Sequence, residues 1–142
     1  MKWLLLLCIL LALAPPATAY EVRLTLNWGT YHFDRDADYR EDNWMVSAEI
    51  GLVHVATFIN SHGNRSHAFG TSVRQPVGEH LEYGVHLSLI HGYTEKDLGL
   101  APCIAELHCA VKPYALVWLN DGAGLKGGFF GSAVTAGAVL RF

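Results

Sequence analysis

The chain is poor in features that build helices or bind polyanions. Beyond residues 4–14 it holds no long apolar run, and that first run is itself too short to span a bilayer as a helix, which takes about 20 residues. A membrane reading therefore leaves only a closed barrel, the other fold in which every backbone group finds a partner. No Lys or Arg cluster exists to track a phosphate backbone and the net charge is −3, so nucleic acid is not an expected partner. There is no internal repeat, no low-complexity segment and almost no helix-period pattern after Ala19. The eight histidines include no close pair at ligand spacing, so neither a metal nor another cofactor is expected. Cysteine is scarce: Cys8, Cys103 and Cys109.

The sequence opens with a charged start, Met1-Lys2-Trp3, then the short apolar run, then Pro15-Pro16-Ala17-Thr18-Ala19. Ala17-x-Ala19 is a good signal-peptidase site, which predicts a signal peptide over 1–19 and a single domain over 20–142. Cys8 falls in the segment to be removed. Cys103 and Cys109 have a spacing that suits a small disulfide loop in an oxidising compartment; two buried thiols are the alternative.

Fourteen glycines, six tyrosines and period-two patterning predict an all-β chain. In 21–33, Val22, Leu24, Leu26 and Trp28 share one face, against Arg23, Thr25, Asn27 and Gly29 on the other. Further strands are expected at 44–50, 54–59, 66–74, 81–90, 104–109, 111–120 and 129–142, with 121–128 as a glycine-rich turn. The last segment ends on Phe142; counting back by twos gives Leu140, Ala138, Ala136 and Val134 on one face. A closing strand with a terminal aromatic residue, after an export signal, predicts an eight-stranded antiparallel up-and-down transmembrane β-barrel in a bacterial outer membrane, most simply a monomer. Arg23, Asn27, Glu49, Glu82, His86 and Ser88 would then face the interior, and the loops after strands one, three, five and seven would be the long ones, outside the cell. A soluble exported barrel around an apolar ligand is the rival fold reading.

Several segments in order resemble the lipid A palmitoyltransferase family of eight-stranded outer-membrane enzymes. They are Leu26-Asn27-Trp28 through Phe33-Asp34 to Tyr39-Arg40-Glu41-Asp42-Asn43-Trp44 and Glu49-Ile50-Gly51-Leu52; Phe58-Ile59-Asn60-Ser61 with Asn64 and Ala68-Phe69-Gly70; Gly84-Val85-His86-Leu87 through Gly92-Tyr93-Thr94-Glu95-Lys96-Asp97 to Pro102; and Leu140-Arg141-Phe142. The resemblance implies transfer of an acyl chain from phospholipid to lipid A, with those two lipids as partners, and an interior cavity that measures the chain. It also implies a site at the surface end of the barrel, built from a histidine on the first strand and an Asp-Ser pair opening the second long loop. Ser61 matches the family serine, Asn60 stands in the aspartate position, and Gly29 in the histidine position. The family's amphipathic helix before the first strand is missing. His32 lies three residues beyond Gly29, and strand parity puts it on the Trp28 face unless a bulge near Gly29 turns it inward.

The candidate catalytic residues are therefore His32, Asn60 and Ser61. His32 would be the base, with Ser61 and Asn60 as oxyanion donors or positioning groups, or Ser61 as a nucleophile activated by His32 or His62. The segment 60–64 also reads simply as a loop of turn formers. A non-enzymatic barrel that shields the surface or meets a partner through its long loops is the alternative function. Asp34-x-Asp36-x-Asp38 opens like a calcium loop, but Tyr39 and Met45 occupy the positions that need glycine and glutamate, so it reads as a solvated acidic loop. Gly70, Gly84 and Gly137 either leave space for an acyl chain or relieve crowding where strands curve.

Overall fold

The computed structural model describes residues 21–34, 36, 38–94 and 102–142; the expected signal peptide and part of the third long loop lie outside the described residues. Eight strands, β1 Val22–His32, β2 Met45–Ile50, β3 Val53–Ile59, β4 Arg65–Val77, β5 Leu81–His91, β6 His108–Trp118, β7 Ala123–Phe130 and β8 Ala133–Arg141, pair in chain order and close into a barrel through β1 and β8. The closure is tied at its end by Phe142 N donating to Val22 O at 2.9 Å, with Val22 N returning to Phe142 O at 3.3 Å. Among the described residues no helix is long and apolar enough to cross a membrane. At 11 residues each, β1, β5 and β6 have the length that a tilted strand needs to do so.

Burial alternates with a period of two, and its sense is the reverse of a soluble protein's. Leu24, Leu26, Val46, Val55, Phe69, Val111, Val117, Leu125 and Leu140 stand exposed on the outer wall, whereas Arg23, Asn27, Glu49, Ser72, Glu82, His86 and Lys126 are buried inside. Such a surface suits hydrocarbon better than water as its solvent. Exposed Tyr31, Phe33, Trp44 and Phe129 ring one rim, and Tyr83 and Phe142 lie toward the other, where aromatic side chains meet both headgroups and acyl chains.

The last three strands differ from the sequence expectation. The segment 104–109 is not a strand of its own: 104–107 is a tight turn bridged between Ile104 and Leu107, and His108 and Cys109 open β6. The expected strand at 111–120 is most of β6, and the glycine-rich 121–128 is mostly β7. Segment 129–142 holds the end of β7, a turn at Gly131-Ser132, and β8. Glycine in 121–128 marks close packing rather than a turn. A Cβ on Gly124 would meet Leu116, Val117 and Trp118, and one on Gly128 would meet the Pro113 carbonyl. The connection after β7 is consequently short, leaving three long loops at one end of the barrel, after β1, β3 and β5. Cys103 and Cys109 form a disulfide across the turn into β6, with Cα atoms 5.7 Å apart.

The interior glycines serve packing. Gly84 makes room for the Tyr114 ring, and a Cβ on Gly137 would collide with the Asn27 side chain and the Leu26 carbonyl across the β1–β8 seam. Crowding relief, rather than acyl space, accounts for both.

Candidate active site at the loop end of the barrel

The site begins with an irregularity in β1. Asn27 pairs with Gly137 and Gly29 with Ala136, so Trp28 is an extra residue on β1 and parity inverts beyond it. Trp28 keeps the outward face of Leu24 and Leu26, and the bulge brings His32, 6% exposed, to the inner face. Past Asn27, β1 also leaves β2: Thr30 N donates instead to Glu41 O of the returning first loop at 2.9 Å. That loop crosses to the second one, where Arg40 N donates to Ser61 O at 3.0 Å.

Within this frame His32 Nε2 and Ser61 Oγ are 2.8 Å apart. The Tyr39 ring packs on the His32 imidazole with centroids 4.6 Å apart, and the His32 backbone N–H donates to Glu41 Oε1 at 3.3 Å. The histidine is thus held from both sides while its Nε2 meets the hydroxyl, the geometry of a base and a nucleophile.

Asn60 is placed differently from its expected role. It is fully buried, and its Nδ2 donates to Ser66 Oγ at 3.1 Å and to Gly92 O at 2.8 Å, while its Oδ1 accepts from His62 N and Asn64 N, each at 3.0 Å. Two donors and two lone pairs are all such an amide has, so Asn60 spends them building the loop that presents Ser61. His62 and Tyr93 line the same opening as His32 and Ser61, with ring centroids 6.5 Å apart.

Two spaces meet at Ser61. One is an internal cavity with about 80 Å³ open to the centres of water-sized groups, walled near the mouth by Ala56, Phe58, Ala68 and Ile90 and floored by His54, His86, Lys112 and Lys126. The other, about 470 Å³, reaches outward between Cys109, Ala110 and Val111 of β6 and Phe130, Gly131 and Ser132 at the β7–β8 turn. Its cause is the end of a ladder: β6 and β7 pair only from Tyr114↔Gly128 to Trp118↔Gly124, although both strands continue toward the loop end. Pro113, next along β6, has no N–H to offer a neighbour, which removes one donor that would otherwise need a partner in lipid. The result is a lateral seam from the His32–Ser61 pair to the outer wall, with the disulfide bracing the β6 side.

The interior charges had a partial sequence signal. Arg23, Glu49, Glu82 and His86 were legible from alternation, and they form the network that fills the opposite half of the barrel. Arg23 grips Glu82 through two bonds of 2.6 and 2.9 Å, and Lys126 Nζ meets Glu49 Oε1 at 2.8 Å. Lys112 and Lys126 were missed, although Lys112 shares the parity of Tyr114 and could have been read from it; Lys126 was hidden in the supposed turn.

No family model matches the sequence, nor does any curated protein. Among solved structures, a barrel from the de novo design of transmembrane β-barrels is similar, with a TM-score of 0.61 and 12% identity over 90% of this chain and 100% of that one. At that identity the likeness is one of fold alone. Together with the inverted burial pattern it defines the class: a closed eight-stranded transmembrane β-barrel.

Proposed function

We propose that this barrel sits in a bacterial outer membrane after removal of its signal peptide and is a divergent relative of the lipid A palmitoyltransferases, moving an acyl chain from phospholipid to lipid A. The observation that carries the reading is the His32–Ser61 contact of 2.8 Å at the mouth of a cavity that also opens sideways toward lipid. In the acyl-enzyme form of the reaction, Ser61 Oγ attacks the ester carbonyl of the donor as His32 Nε2 takes the hydroxyl proton. The carbon–oxygen bond to the lysophospholipid breaks, and His32 returns the proton to that leaving oxygen. A lipid A hydroxyl then attacks the Ser61 ester, giving its proton to His32, and Ser61 is released with its proton restored. His62 and Tyr93 are the side-chain donors that border the developing oxyanion, and Asn60 is a positioning residue for Ser61.

The seam between β6 and β7 is the route by which an acyl chain reaches Ser61 from the outer leaflet. Only the apolar collar of Ala56, Phe58, Ala68 and Ile90 suits a chain inside the barrel, because charged groups begin below it. This departs from a deep cavity that measures the whole chain. The test is transfer of labelled acyl chain from phospholipid to lipid A by the purified barrel in vesicles. His32→Ala and Ser61→Ala are each expected to lower turnover by about 10²-fold or more. No transfer by the wild type leaves the non-enzymatic barrel as the reading, whereas full transfer by both variants removes His32 and Ser61 from the reaction.

A further inference from the structure

The floor of the internal cavity carries a cation that nothing else in the site explains. Among the described residues the three interior carboxylates each face a cation: Glu82 has Arg23, Glu21 has Arg23 and Arg74, and Glu49 has Lys126 at its Oε1, with His86 at 3.7 Å from the same oxygen and only Arg74 at 3.5 Å, too far for a good hydrogen bond, beside its Oε2. Lys112 makes no hydrogen bond or ion pair with the described residues, yet it lines the cavity beside Ser88, His54 and His86. Its charged neighbours are Lys126, which repels it, and Glu49, already shared. His86 Nδ1, fully buried, is also without a partner among the described residues. A lone ammonium inside a barrel is costly unless an anion meets it, and intramembrane charges mark ligand paths.

We infer that this floor is a binding site for a carboxylate, and that the cavity takes a single-chain amphiphile head first, a fatty carboxylate of about the length of octanoate. One uncompensated positive charge calls for a monoanion. Lys112 supplies the charge-assisted bond, and Ser88 and the neighbouring imidazoles supply further polar contact. Ala56, Phe58, Ala68 and Ile90 then flank the chain on its way toward the mouth, the usual arrangement of apolar walls with a few convergent polar groups. The cavity's 80 Å³ holds roughly five to eight water-sized groups, so the carboxylate and the first few carbons fill it and the rest of an octanoate chain extends toward the mouth at Ser61. A ligand entering tail first would press its methyl end against Lys112 and the imidazoles and leave the Lys112 ammonium and His86 Nδ1 unmet. The site does not depend on acyl transfer at Ser61 and would persist if that chemistry were absent.

The experiment is a titration of the full barrel in maltoside micelles, following the resonance of octanoate labelled at its carboxyl carbon. Saturable binding is expected, with octanol and acetate each at least about tenfold weaker, since one lacks the charge and the other the chain. Lys112→Met should weaken octanoate about tenfold or more, while Lys112→Arg should stay within about threefold of the wild type. Octanol as tight as octanoate, acetate as tight as octanoate, or octanoate unaffected by Lys112→Met would each overturn the inference. The comparison of three ligands on the wild type decides it even where a variant does not fold.

Discussion

Glu49 is the residue on which the barrel's interior balance turns, and replacing it gives the sharpest stability prediction. Its carboxylate is 1% exposed and faces Lys126 at 2.8 Å, Arg74 at 3.5 Å and His86 at 3.7 Å. Glu49→Gln keeps the shape and removes the charge, so Lys126 is left buried without an ion partner beside an already unmatched Lys112. Breaking a buried pair from one side costs about 3–5 kcal/mol. With a urea dependence of about 2 kcal/mol/M, that lowers the unfolding midpoint by about 2 M. The assay is urea unfolding of the barrel in phospholipid vesicles, read by tryptophan fluorescence. Glu49→Gln with Lys126→Met should be more stable than the sum of the single losses predicts, by about 1–3 kcal/mol. Lys112→Met alone should leave the midpoint unchanged or raised, because it removes a charge with no partner. A Glu49→Gln loss below about 1 kcal/mol, or strict additivity in the double variant, would refute the reasoning.

Three further outcomes follow from single contacts. Asn60→Asp, which installs the residue expected from the family resemblance, should lower stability by about 1–3 kcal/mol in the same unfolding assay and reduce acyl transfer, because a carboxylate would face the Gly92 carbonyl that now accepts from Nδ2. Gly137→Ala should cost about 1–3 kcal/mol or block closure, seen as a lower folded yield, because its Cβ would strike β1 backbone. Cys103→Ser with Cys109→Ser should lose about 2 kcal/mol from a loop of this size and expose the turn before β6 to protease, with the other strands unaffected.

The first five strands were legible because they alternate cleanly, as in Leu81, Tyr83, Val85 and Leu87 against Glu82, Gly84 and His86. The final three were not, for a physical reason: in a small barrel glycine admits bulky inward neighbours, so β7 is glycine-rich where a soluble sheet would not be. Two misplacements offset one another, a strand too many at 104–109 and one too few at 121–128, so the count of eight was right for partly wrong reasons. For the candidate site, the sequence offers His32, Asn60 and Ser61 as residues but not their arrangement. Periodicity alone put His32 on the outer face, and only a bulge, which no pattern of residue types announces with certainty, brings it to Ser61. Asn60 could be named but not given its role, because that depends on where Ser66 and Gly92 arrive from other strands.

The most direct test of the account is covalent trapping of Ser61. The intact barrel in vesicles is treated with a lipid phosphonate that reacts with activated serines, and the adduct is located by peptide mass spectrometry. A base at 2.8 Å predicts labelling at Ser61 in the wild type and its loss in His32→Gln. Absence of an adduct at Ser61, or equal labelling with and without His32, would contradict the claim that this pair is a catalytic centre.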